Sequence, residues 1–124
     1  MSSLYSAAVL DHFQNPRNAG DLPGASAQVE VTNPVCGDVL RLAARIEKGK
    51  VTEARFKTRG CVAAIACSSW LTEWMAGKSV SDLRGLRPEQ IADGLESLAA
   101  ASFHAADLAC DALRALVAQL NSAG

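Results

Sequence analysis

The chain has 124 residues, 49 % hydrophobic and 20 % charged, with a formal net charge of −1. That length suits one domain around one core, spanning residues 1–124. The near-neutral charge does not suggest a nucleic-acid footprint, which would need a basic face, and no apolar run approaches the roughly 18 residues of a membrane span.

The start, "MSSLYSAAVLDHF", has no basic region followed by a long apolar stretch. A secretory signal is therefore not expected, and the chain reads as cytoplasmic. Residues 3–14 read as a short helix, with Leu4, Ala7, Leu10 and Phe13 at helical spacing. "QNPRNAGDLPG" breaks it into an ordered loop. Three strands follow: 27–32, 39–47 and 51–58. In the second, Leu40, Leu42, Ala44 and Ile46 alternate with Arg41, Ala43, Arg45 and Glu47. In the third, Ala54 and Phe56 alternate with Glu53, Arg55 and Lys57. Gly49 turns the chain between them, which predicts a hairpin with one buried face.

Helices fill the rest. Residues 61–76 end at Gly77, Pro88 falls in the first turn of a helix over 86–95, and Ser102 is placed to cap a helix over 103–120. Strands followed by helices predict an α+β fold with the helices on one face of the sheet.

The four cysteines, Cys36, Cys61, Cys67 and Cys110, contain no C-x-x-C pair. A disulfide framework does not suit a reducing compartment, and a zinc ribbon does not suit this spacing. Any metal site must be assembled from distant segments. In "NPVCGD", Cys36 sits in a turn shaped by Pro34 and Gly37, two residues before Asp38. A thiol beside a carboxylate on irregular backbone suits a metal, since Asp is a poor core neighbour. The alternative is a buried cysteine beside a strand-opening Asp. In "RGC", Cys61 opens a helix after Gly60. Unpaired N–H groups and the helix dipole there favour a thiolate, while the bland alternative is a core cysteine at a strand–helix junction. His104 lies in the first turn of the last helix, where a lone histidine is more often a surface or packed residue. His12 is weaker still as a functional candidate.

Cys67 lies six residues after Cys61, about 240° round an ideal helix and about 9 Å along it. It reads as a core residue, as does Cys110, six residues past His104. Trp70 and Trp74, four apart, read as packing. Arg41, Arg45, Arg55, Lys57 and Arg59 fall on or near the outer face of the hairpin, either simply solvated or available to an acidic partner.

"YSAAVLDHFQNPRNAG", "NPVCGD", "ARFKTRGCVAAIACSSWLTEW", "GKS" and "HAADLACDAL" occur in that order. Together they resemble the U-type iron–sulfur cluster assembly scaffolds, the family of IscU and the N-terminal domain of NifU, over residues 4 to 120. The resemblance implies a three-stranded antiparallel sheet with helices packed on it and a site at one tip. It implies Cys36, Asp38, Cys61 and His104 as ligands of iron, of a transient 2Fe–2S cluster, or of Zn²⁺. It also implies a cysteine desulfurase as sulfur donor and recipient apo-proteins as acceptors, in a scaffold rather than an enzyme.

Two positions depart from the family pattern. Ala105 follows His104 where the family usually has a third cysteine, and "LAAAS" (98–102) replaces the stretch that recruits a dedicated Hsp70-type chaperone, which is not expected as a partner. With that cysteine gone, Cys61 is the first choice for carrying persulfide sulfur and Cys36 the second. Cys67 and Cys110 are held in reserve as replacement ligands. A zinc-holding sulfur acceptor or regulator of a desulfurase is the alternative function. A thiol enzyme with Cys61 as nucleophile and His104 as base ranks last, since no oxyanion hole or substrate pocket is legible.

Overall fold

A computed structural model describes residues 5–123. Helix α1 spans Ala7–Gln14, strands β1, β2 and β3 span Ala27–Thr32, Val39–Glu47 and Lys50–Arg59, and helices α2, α3 and α4 span Val62–Met75, Pro88–Gly94 and Phe103–Ala123. Short 3₁₀ turns at Ser81–Gly85 and Ala100–Ser102 precede α3 and α4. Leu4 lies outside the described residues. Ser6 caps α1, its hydroxyl accepting from the Val9 N–H at 3.0 Å.

The strands form one antiparallel sheet in the order β1-β2-β3. Leu42 pairs with Val29 and Phe56, and Ala44 with Ala27 and Ala54. This register puts Leu40, Leu42, Ala44, Ala54 and Phe56 on the core face, all nearly or wholly buried. An irregularity between Arg45 and Ile46 shifts the register, so Ile46 meets Val51. The hairpin turns on Lys48 (φ 55°) as well as Gly49 (φ 76°), two left-handed residues as a type I′ turn requires. Glycine alone announced that turn in the sequence.

Helices α2 and α4 pack on this face, α2 against β3 and α4 against β1 and β2. Most of α2 is buried, its polar positions included. Ser68 donates to the Ala64 carbonyl (2.7 Å) and meets Thr58 at 2.8 Å, so no cost of an unpaired hydroxyl arises there. The helix stops at Met75, with Gly77 beyond it at φ 80°. Pro88 opens α3 as its first residue. Ser102 belongs to a 3₁₀ turn rather than to an extended cap, because that turn runs directly into α4.

The loop after α1 closes the free edge of β3. The Phe56 N–H donates to the Asn18 carbonyl (3.0 Å) and the Gly20 N–H to the Phe56 carbonyl (2.8 Å). Edge backbone groups that would otherwise face water or another chain are thereby paired.

Candidate metal centre

The sheet twist and the hairpin register bring two strand ends together, since Val39 pairs with Arg59. Asp38 therefore enters β2 beside the point where Gly60 and Cys61 leave β3. The first turn of α4 reaches the same end of the sheet and brings His104.

The "NPVCGD" loop is closed by Asn33. Its side-chain oxygen accepts from the Val35 N–H (2.8 Å) and the Cys36 N–H (3.4 Å). Its backbone N–H donates to the Asp38 carbonyl, and its carbonyl accepts from Gly37, both at 2.8 Å. Gly37 has φ 79°, which a larger residue would adopt only under strain. The signal was an Asn before a Pro, a turn-initiating pair. Sequence reasoning credited the turn to Pro34 and Gly37 and missed Asn33. The loop leaves the Cys36 thiol exposed and Val35 92 % exposed.

One ligand atom each from Cys36, Asp38 and His104 lies within 4.8 Å of the others. His104 Nε2 stands 4.0 Å from Asp38 Oδ2, and among the described residues its ring makes no hydrogen bond. Thiolate, carboxylate and imidazole are donors that suit Zn²⁺ and Fe²⁺, so their chemistry fits a metal.

Gly60 makes the arrangement possible. A Cβ built on it would meet the Asp38 carboxyl carbon at 2.5 Å, so Asp38 packs where any other residue would stand. The Cys61 N–H faces Asp38 Oδ2 at 3.5 Å.

Cys61 behaves differently from its sequence expectation. It is the N-cap of α2, and its sulfur accepts from the Ala64 N–H at 3.4 Å. It adjoins the three-residue group without joining it. The helix start was expected to lower the thiol pKa. Burial instead pushes it up; the Ala64 N–H pulls it down, and the Asp38 carboxylate adds to the rise.

Cys67 is wholly buried and Cys110 is 2 % exposed. Burial drives the Cys67 thiol well above its ordinary range and Cys110 up to about 11, so both stay protonated near neutrality. Neither joins the group at the tip. Ala105 is 1 % exposed and offers no ligand atom.

His12 is held elsewhere, with Nδ1 2.8 Å from Ser69 Oγ and Nε2 3.7 Å from Glu73. Trp70 and Trp74 stack with centroids 6.4 Å apart, and Lys78 lies over the Trp74 ring at 4.8 Å. On the outer face of the sheet, Arg45 and Arg55 share Glu53 at 2.9 and 2.6 Å. Arg41 and Lys57 reach Asp21 at 4.0 and 3.1 Å.

A small α+β domain with thiol, carboxylate and imidazole gathered at one end of its sheet has the donor set of a metal-binding protein. Residues 4–123 match the family model of the NifU-like N-terminal domain, and the chain belongs to that family. It is 41 % identical over 122 residues to the iron–sulfur cluster assembly scaffold protein IscU of Escherichia coli strain K12, covering 95 % of this chain and 94 % of that one. It is 43 % identical over 117 residues to the IscU of Azotobacter vinelandii, covering 91 % of each. The fold is that of the crystal structure of a NifU-like N-terminal protein from Brucella abortus, with a TM-score of 0.78 at 18 % identity, covering 98 % of this chain and 96 % of the other. The α+β architecture expected from the sequence is the one found. Among the described residues no helix is long and apolar enough to cross a membrane.

Proposed function

We propose that this chain is an iron–sulfur cluster assembly scaffold whose building site is the tip formed by Cys36, Asp38, His104 and Cys61. It is a scaffold rather than an enzyme: the cluster is its cargo. The observation that carries the assignment of the tip is the meeting of Cys36, Asp38 and His104 within 4.8 Å.

A 2Fe–2S cluster requires four protein ligands, and histidine replaces cysteine in Rieske centres. Cys36, His104 and Asp38 supply three. Cys61 supplies the fourth by rotating its sulfur away from the Ala64 N–H. Two thiolates hold a cluster more weakly than four, which suits transient holding and delivery to recipient apo-proteins. The same donors bind Fe²⁺ before assembly and accept Zn²⁺ in its place.

Sulfur arrives as the persulfide of a cysteine desulfurase. A scaffold thiolate attacks the outer sulfur, forming a new S–S bond and releasing the donor cysteine as thiolate. Exposure now favours Cys36 as acceptor. Cys61, the first choice from sequence, has a raised thiol pKa and a sulfur engaged as a cap. Cys67 and Cys110 are excluded from this step by burial.

The test is anaerobic reconstitution with Fe²⁺, cysteine and a desulfurase, followed by visible absorption. Cluster bands should appear in the wild type and in Cys67→Ala. They should be lost in Cys36→Ala, Asp38→Ala, His104→Ala and Cys61→Ala. A full equivalent of Zn²⁺ with no cluster bands would replace this reading by a second, a zinc-holding sulfur acceptor that regulates a desulfurase. Ala105, in place of a third thiol, favours that second reading.

A further inference from the structure

The outer face of the sheet carries a bowl of about 420 Å³ lined by Glu30, Val39, Arg41, Lys57, Thr58 and Arg59. Its upper rim is Val39 and Arg59, the paired residues next to Asp38 and Gly60. Alternation along the strands turns Asp38 and Gly60 to the helix-covered face, so the bowl and the tip share this end of the sheet from opposite faces. Arg41 and Lys57 are directly opposed across β2 and β3, a like-charge pairing that destabilises a sheet unless an anion relieves it. Asp21 relieves it only in part, standing 3.1 Å from Lys57 and 4.0 Å from Arg41, and Glu30 reaches Arg41 at 3.3 Å. These exposed pairs are worth little and exchange readily for a better anion. Arg59 makes no ion pair among the described residues. Three cations thus face two carboxylates in a chain whose net charge is −1.

We propose that this bowl binds a small polycarboxylate such as a di- or tricarboxylic acid, the anionic carrier of the iron that loads the tip. Guanidinium forks match carboxylates two bonds at a time, and the bowl has room for a small carrier with iron still bound. The carrier role rests on the scaffold reading above; the anion site does not. Loading is a ligand exchange with no change of oxidation state. An Fe–O bond to the carrier breaks, an Fe–S bond to Cys36 forms, and the thiol proton passes to solvent.

The experiment titrates citrate into the metal-free chain, followed by calorimetry and amide NMR shifts. Citrate should shift the amides of residues 39–41 and 57–59. Arg59→Gln and Lys57→Gln should each weaken binding by about tenfold, with thermal stability retained. Cys36→Ala and His104→Ala should leave citrate binding unchanged. In wild type, Fe²⁺ supplied as its citrate complex should reach the tip faster than in Arg59→Gln. Absence of citrate binding, or binding indifferent to Arg59 and Lys57, overturns the proposal. Inorganic phosphate binding as tightly as citrate at the same amides overturns the carboxylate assignment. Citrate bound at the bowl with no iron ever held at the tip leaves the anion site standing and removes the scaffold reading.

Discussion

The chain uses the same chemistry twice. At the tip, His104 meets the Asp38 carboxylate at 4.0 Å beside an exposed thiol. Between α1 and α2, His12 meets Glu73 at 3.7 Å and Ser69 at 2.8 Å. The second cluster is saturated by the protein itself. Ser69 also accepts from the Arg17 N–H at 2.9 Å, and Thr72 donates to the Arg17 carbonyl at 3.2 Å. Those bonds clamp α1 and the following loop onto α2. The first cluster leaves its imidazole without a hydrogen bond among the described residues. A histidine hydrogen-bonded inside the fold helps hold it together; one without a hydrogen bond keeps its lone-pair capacity for a metal.

The largest expected contrast lies among the thiols. Under native conditions iodoacetamide should label Cys36 first and Cys61 more slowly. Cys67 and Cys110 should be protected about a thousandfold or more, reacting only when the chain opens. Mass spectrometry of peptides against time reads this out, and native labelling of Cys67 at the Cys36 rate would break the contrast.

Next come the two histidines. His104→Ala should weaken Zn²⁺ binding by about 100-fold or more with little change in thermal stability. His12→Ala should do the reverse, costing about 1 kcal/mol through the lost bond to Ser69 and leaving Zn²⁺ affinity intact. Denaturant melts and competition with a chelator separate the two effects.

Gly60→Ala couples them. Its Cβ intrudes on the Asp38 carboxyl, so stability should fall by about 1–3 kcal/mol and metal affinity by about tenfold.

The smallest effect is on pH. Burial, helped by the Arg17 charge, holds His12 below its ordinary 6.5, against the opposing pull of Glu73 and Asp11. The unfolded chain therefore takes up this proton first. The stability contribution is complete above about pH 6.5 and is lost as pH falls through that value toward the lower folded pKa. His12→Gln should flatten this slope in melts between about pH 7 and pH 5.

The hairpin, the alternation of its buried face and the last long helix were legible because periodicity and glycine punctuation encode them locally. Cys67 and Cys110 were legible as core residues for the same reason, through the alanine and leucine neighbours at helical spacing. What the sequence hid depends on contacts distant along the chain. The pull of burial on Cys61 against the helix start could be weighed only once Asp38 was seen beside it. Gly60 read as a helix-opening glycine, whereas its purpose is to make room for a side chain 22 positions earlier. The role of His12 required Ser69 and Glu73, both on another helix.

The cap that Cys61 provides has a consequence for observing the molecule at work. The Ala64 amide proton is bonded to that sulfur, so whatever captures the sulfur releases the proton. Its chemical shift and exchange rate are then an internal gauge of occupancy, readable without dye, chelator or colour. A loaded tip would be announced by the loss of one helix cap, at an atom that itself binds nothing.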